Sequence, residues 1–335
     1  MSAPRLVDRA PVVPVESLVA ALVPPPRFDG ARFETYLPDP AQPTQAAAVE
    51  ALQRFVQRAS PPPRRLFGRN RPPEGRPGVY LDGGFGVGKT HLLAALWHAS
   101  PEPRGYGTFV ELTHLVGALG FGPAVEALSG HRLLAIDEFE LDDPGDTVLV
   151  STLLQRLVDA GVRVAATSNT LPDALGEGRF AAQDFLREIQ GLAAHFEPVR
   201  VDGEDYRHRG LPQAPPPVDP AQVAAATGST PGSTCDDFEQ LLAHLSSLHP
   251  SRYGALVDDV RLVGLTGVRP VDDQSAALRL VVLADRLYDR DVPVLASGVP
   301  LDPLFPAELL AGGYRKKYLR AVSRLTALAR EAQAR

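Results

Sequence analysis

The stretch Val79-Tyr80-Leu81-Asp82-Gly83-Gly84-Phe85-Gly86-Val87-Gly88-Lys89-Thr90-His91-Leu92-Leu93 decides how this chain is read. An apolar run, Val79 to Leu81, leads into the glycines, and Leu92, Leu93 and Leu96 leave them on one helical face. Strand, glycine-rich turn and helix are the setting in which G-x-x-x-x-G-K-[ST] binds phosphate, and Gly83 to Thr90 matches that pattern. Glycines let the backbone wrap a phosphate, so that successive N–H groups and the helix N-terminus point at it. The expected cradle is Gly83, Gly84, Phe85, Gly86, Val87, Gly88, Lys89, Thr90 and the adjoining His91. Lys89 is expected to reach the β and γ phosphates of ATP, and Thr90 to ligate Mg2+ through its hydroxyl.

Such a loop needs an acidic group at the end of a neighbouring strand to hold the metal, and Leu133-Leu134-Ala135-Ile136-Asp137-Glu138 supplies one. Asp137 is the expected metal-shell residue. Glu138, directly after it, is placed to polarise an attacking water. A further apolar run ends in Ala165-Ala166-Thr167-Ser168-Asn169. That puts Asn169 at the carboxyl edge of a strand, where open α/β sheets bind ligands. Asparagine after a strand is also ordinary turn chemistry. Its spacing from Asp137 leaves room for one helix and one strand, which favours a contact with the γ phosphate or the water.

Around these motifs strand-like and helix-like runs alternate. Strands are expected at 78–81, 107–111, 133–136, 162–167 and 197–201, and helices at 45–59, 90–99, 112–128 (broken), 147–160 and 181–194. Alternation of this kind implies a parallel sheet covered by helices. Residues 1–30 alternate prolines with a short apolar patch and read as a poorly ordered arm. Residues 31–209 read as the core and 210–234, rich in Pro, Gly, Ser and Thr, as a linker. A smaller α/β unit is expected from 235 to 335, beginning with a helix at 235–248.

At 335 residues the chain exceeds what one hydrophobic core supports, which agrees with two units. Its formal net charge of −6 argues against a globally cationic nucleic-acid binder. One cysteine, Cys235, fits a reducing compartment. No apolar run approaches the roughly 20 residues that span a bilayer, and the N-terminus lacks a basic-then-apolar signal, so the chain reads as cytoplasmic. The 33 prolines cluster, and one cluster frames a basic loop with Arg64, Arg65, Arg69, Arg71 and Arg76. This loop reads as a solvated connection, or as an electrostatic contact with an acidic partner or a membrane surface.

Taken together these segments resemble the AAA+ ATPases, and more narrowly the ZapE cell-division ATPases and their mitochondrial relatives, the lactation-elevated-protein ATPases. Leu134 to Phe139 with Asp142 to Asp146 is similar to that family's extended Walker B segment. Thr167-Ser168-Asn169 with Pro172 is similar to its sensor-one segment, and Asp205-Tyr206-Arg207 to its short signature after the core. Arg279 with Ala284 to Asp289, and Ser323-Arg324-Leu325, resemble its late helices. The resemblance implies an AAA+ P-loop core whose parallel sheet is sandwiched by helices, followed by a smaller C-terminal α/β lid. It also implies a homo-oligomer in which an arginine of one subunit completes the site of the next. The family's Gln-Arg before Phe-Leu-Pro is replaced here by Arg179 to Arg187, so Arg179 and Arg187 are both candidates for that arginine. Either reads equally as a surface cation. Arg324 is implied as a nucleotide-sensing lid arginine, or as a cation of the same helix as Arg315-Lys316-Lys317.

The function implied is Mg2+-dependent ATP hydrolysis that remodels a protein partner, with the FtsZ division ring first and a peripheral contact with the membrane. The alternative is a nucleic-acid-associated ATPase of the helicase-loader kind. Against it stand the acidic balance and the lack of an aromatic-basic stripe.

Overall fold

The computed structural model describes residues 4–12, 14–59, 75–84, 86–141, 144–171, 175, 186–203 and 214–334. Five short runs, β1 (Gly78–Gly83), β2 (Arg104–Thr108), β3 (Leu133–Asp137), β4 (Arg163–Ser168) and β5 (Phe196–Val201), pair as a parallel sheet in the order β2-β3-β4-β1-β5. Successive side chains of a strand point to opposite faces, and here both faces are covered. Val79, Leu81, Leu133, Ala135 and Ala165 pack with α2 (Pro43–Ala59) and α3 (Lys89–Ala99) through Leu52, Phe55, Leu92 and Leu96. Tyr80, Leu134, Ile136, Val164 and Ala166 pack in a second cluster. That cluster draws on α4 (Phe109–Leu119), α5 (Phe121–Ser129), α6 (Pro144–Asp159) and α7 (Leu186–Ala194), with Leu22 just past α1 (Val15–Ala20).

One boundary differs from the expectation for a local reason. β2 ends at Thr108 and helix begins at Phe109, because Thr108 forms a capping box with Glu111. The Thr108 amide donates to Glu111 Oε2 at 2.8 Å, and the Glu111 amide to Thr108 Oγ1 at 3.3 Å. The break expected in the next helical run falls at Gly120, at φ 85°, between α4 and α5.

Residues 1–13 and 210–335 form a second unit; 14–209 form the first. The elements of the second unit are α8 (Pro220–Ser229), β6 (Ser233–Asp237), α9 (Phe238–Ser247), α10 (Tyr253–Leu256), β7 (Leu262–Val268), α11 (Gln274–Asp289), β8 (Val294–Gly298), α12 (Ala307–Leu310) and α13 (Arg315–Ala334). The strands are parallel in the order β6-β7-β8. The expected linker at 210–234 is therefore partly regular structure. Asp219 caps α8, with Pro220 at its first turn and Gln222 closing a capping box. The segment expected to open a helix at Cys235 is strand β6 instead, and Asp237 caps α9 after it. Gly264 lets α8 approach β7, since a Cβ there would lie 2.6 Å from Thr227 and 2.8 Å from Val223.

The expected poorly ordered arm is corrected as well. Leu6 is wholly buried in the core of the second unit. Its amide and that of Val7 donate to Asp236 at 3.0 and 3.1 Å, and the Cys235 amide donates to Pro4 O at 3.0 Å. Burial pushes the Asp236 carboxyl above its ordinary range, although the two amides pull it down. Proline content signals irregular backbone; it does not show that one leucine fills a core. No helix among the described residues is long and apolar enough to cross a membrane.

Candidate nucleotide site

The cradle begins where β1 meets β5. A Cβ at Gly83 would lie 2.1 Å from Val201 O, so the strand needs glycine to pass its neighbour there. Gly86 and Gly88 take φ 67° and 90°, the left-handed turns that aim the loop into α3. Behind them stands Tyr36, whose hydroxyl donates to Val87 O at 2.8 Å. Its ring would meet a Cβ at Gly88 at 2.5 Å. His91 is held on the same side, with Nε2 3.0 Å from Thr35 Oγ1 and 3.1 Å from Arg32 O.

Lys89 opens α3 and is buried. Its ammonium donates to Gly83 O at 3.0 Å, Gly84 O at 2.5 Å and Asn169 Oδ1 at 2.9 Å. Asn169 is presented just past β4 by a turn in which Ser168 Oγ accepts the Thr170 amide at 3.0 Å. Tyr80 OH donates to Thr170 O at 2.8 Å and ties that turn to β1. Lys89 and Asn169, far apart in sequence, thus share one hydrogen bond.

Asp137 ends β3 next to this pair. Its Oδ1 accepts the Thr90 hydroxyl at 3.3 Å, the Glu138 amide at 3.1 Å and the Thr167 hydroxyl. Its Oδ2 accepts Tyr106 OH at 3.1 Å. The carboxylate is fixed from β2, β4 and α3 together. Glu138 has φ 54°, a left-handed conformation that costs a residue with a Cβ roughly 1–2 kcal/mol. Its amide is held by Asp137 Oδ1 and by Thr167 Oγ1, at 3.1 Å each. The next amide, of Phe139, donates to Thr167 O at 2.7 Å. The Phe139 ring is wholly buried at 5.4 Å from Phe109 and 6.3 Å from Tyr80. Burying it contributes about 2–3 kcal/mol, enough to offset the strained turn before it. Strained backbone of this kind persists only where the surrounding structure holds it.

The donor set fits phosphate and Mg2+. Hard oxygen ligands, a hydroxyl and a carboxylate, converge at Thr90 and Asp137, as Mg2+ demands. Lys89 supplies the cation for phosphate, and a Cβ placed on Gly84 would find its nearest heavy atom 3.8 Å away, so the loop is open there.

Three supporting residues were not singled out from the sequence: Thr167, Tyr106 and Tyr36. Thr167 lies in the quoted strand end, and the register that sets Ile136 against Ala166 carries it beside Asp137. Tyr106 and Tyr36 act across the fold and leave no local pattern. Arg200 is also structural support. It donates to buried Asp82 at 2.7 Å and to Asp202 at 2.6 Å, and these bonds raise its pKa. Gln45, a helix residue near the site in sequence terms, is buried between the Asp39 amide and Asp202 O, at 2.8 Å each.

Phe85, Arg179, Pro172, Asp142 and the Asp205-Tyr206-Arg207 signature lie outside the described residues, as does most of the basic loop. Arg187 stands exposed in the first turn of α7. Arg324 belongs to the second unit, where it is buried in an ion pair with Asp285 beside the Tyr288 ring.

Among known proteins, the family model described as AFG1-like ATPase matches residues 12–229 and 220–335. The cell division protein ZapE of Escherichia coli (strain K12) is 26% identical over 348 residues, covering 87% of this chain and 91% of that protein. Its counterpart in Escherichia coli O157:H7 gives the same values. Of solved structures, AMPPCP-bound DnaA from Aquifex aeolicus overlays with a TM-score of 0.39 at 15% identity, covering 53% of this chain and 52% of that one. At that score the overlay carries no argument, and the α/β fold rests on the sheet order above.

Proposed function

Because the chain belongs to the AFG1-like ATPase family and is an ATPase, we propose that hydrolysis at this site remodels a protein partner in cell division, with FtsZ polymers the first candidate. The observation that carries the chemistry is the convergence of Lys89, Thr90, Asp137, Glu138 and Asn169 at the carboxyl ends of β1, β3 and β4. In this reading Lys89 and the loop amides bind the β and γ phosphates, while Thr90 and Asp137 hold Mg2+. Held by Thr90 and Asp137, Mg2+ would supply positive charge to offset the negative charge that develops on the phosphate in hydrolysis. Glu138 accepts the proton of the attacking water, and Asn169 orients the γ phosphate or that water. The resemblance to a cell division protein supports the choice of partner.

The same proposal includes a homo-oligomer whose neighbouring subunit donates an arginine. Such a finger raises hydrolysis by about 10^3–10^5 in other nucleotide hydrolases. The exposure of Arg187 supports it for that role, and Arg179 is the other candidate.

The experiment is co-sedimentation of the purified full chain with FtsZ polymers. Glu138→Gln, loaded with ATP, is expected to co-sediment, and the ADP form to stay in the supernatant. Absence of nucleotide-dependent co-sedimentation, together with salt-sensitive single-stranded DNA binding that stimulates hydrolysis, would replace this reading with the helicase-loader alternative.

A further inference from the structure

At the amino edge of the first unit's sheet, a strand's length (roughly 17 Å) from the phosphate cradle, lies an open surface depression of about 420 Å3 lined by Arg54, Gln57, Arg58 and Glu197. It sits where the last turns of α2 meet the start of β5. Arg163, the first residue of β4, is stacked over the Phe55 ring at 3.5 Å and donates to Phe55 O at 2.7 Å. Arg76, just before β1, is exposed and donates to Phe196 O. Four arginines therefore gather around two glutamates, Glu50 and Glu197, in a chain whose net charge is −6.

These arginines are not all consumed by the fold. Arg58 pairs with Glu197 at 3.0 Å, yet its side chain stays 31% exposed. Arg54 is largely exposed and reaches Glu50 only at 3.6 Å. Burial first, and then the charge of Arg58, depress the Arg163 guanidinium to about 10 despite the opposing pull of Glu197. Positive charge is thus in excess at this edge, and an added carboxylate would relieve it.

We propose that this depression is a docking site for an acidic segment of a partner polypeptide, whose carboxylates lie on Arg54 and Arg58. The planar guanidinium fork matches a carboxylate in two hydrogen bonds, which suits the side chains of an acidic segment. A bilayer is disfavoured by Glu50 and Glu197, whose carboxylates an anionic lipid surface would meet beside the arginines. Among the described residues, the large exposed apolar side chains, Val12, Val23, Leu37, Val148 and Leu171, belong to none of α2, β1, β4 and β5. A nucleic-acid backbone is disfavoured by Glu50 and Glu197, and the Phe55 face that would stack a base is taken by Arg163. The site does not depend on which protein the ATPase remodels, because its ligand is recognised by charge away from the nucleotide.

The test is fluorescence anisotropy of a labelled peptide of alternating glutamate and aspartate, titrated with the full chain. Binding is expected to weaken at raised ionic strength and by at least about ten-fold in Arg54→Glu/Gln57→Glu, both exposed positions. It is expected to tighten in Glu197→Gln, which removes the competing carboxylate. ATP hydrolysis without peptide stays unchanged in both. Should the double variant fold poorly by thermal melting, Arg54→Ala is measured in its place, with weakening again expected. An affinity that is undetectable, or equal in wild type and variants, overturns the proposal. So does a stronger response to these variants from single-stranded oligothymidylate or phosphatidylserine vesicles than from the peptide.

Discussion

Thr167 and Asp137, side by side at the ends of β4 and β3, are joined by a hydrogen bond from the Thr167 hydroxyl to Asp137 Oδ1. The same hydroxyl accepts the Glu138 amide at 3.1 Å. One buried side chain therefore sets both the proposed metal-shell carboxylate and the turn that presents the proposed base.

Thr167→Val keeps the shape and removes both bonds. Loss of an orienting partner of this kind typically costs about 10–100-fold in activity. We expect kcat for phosphate release to fall by that factor, nucleotide affinity to change much less, and Thr167→Ser to restore turnover. Full kcat in Thr167→Val would show that Glu138 is positioned by other means.

Arg187 is exposed at the start of α7, while Arg179 lies outside the described residues. A residue that acts on the neighbouring subunit's site is rescued by a subunit that cannot bind ATP but keeps its arginine. Inactive Arg187→Ala mixed with Lys89→Ala is therefore expected to regain hydrolysis, whereas Glu138→Gln mixed with Lys89→Ala is not. If only Arg179→Ala is rescued, Arg179 is the finger.

In the second unit Asp285 is buried between Arg320, at 2.8 Å, and Arg324. Burial pushes its carboxyl up, but the two guanidiniums outweigh burial and hold it below the ordinary 3.8. A depressed carboxylate contributes stability that is present above its unfolded pKa and is lost as pH falls through its folded one. Resistance to urea should hold steady at neutral pH and decline below about pH 4. Asp285→Asn strands two buried cations and should cost about 3–5 kcal/mol at neutral pH, measured by urea unfolding. It should also flatten the acid decline.

Leu6 is wholly buried, although it lies near the chain's beginning among prolines. Leu6→Ala should destabilise the second unit by about 3 kcal/mol, as for other buried leucines. The measurement is amide exchange in β6 and α9, which should quicken while β1 and β4 keep their protection. Unchanged exchange in β6 would mean that the N-terminal segment does not complete this core.

Much of the site was legible because its chemistry is written in short local patterns. Gly83 to Thr90 encodes its own geometry through glycine and the following helix, and Asp137-Glu138 closes an apolar strand. Asn169 needed the spacing of the alternating elements to bring it near Lys89. Thr167, Tyr106 and Tyr36 were not legible, since their roles arise from strand register and packing between distant segments. Errors in the fold had similar causes. Leu6 and α8 sit in proline-rich stretches whose composition suggests a connection, and only the cores they fill show otherwise.

The most direct measurement compares wild type, Lys89→Ala and Glu138→Gln for equilibrium binding of ATP and for single-turnover release of phosphate. Glu138 is expected to be the base, so Glu138→Gln should bind ATP as wild type does while hydrolysis falls by about 10^2-fold or more. Lys89→Ala should lose binding itself. Normal turnover by Glu138→Gln, or ATP affinity undiminished in Lys89→Ala, would contradict the assignment of these residues to ATP hydrolysis.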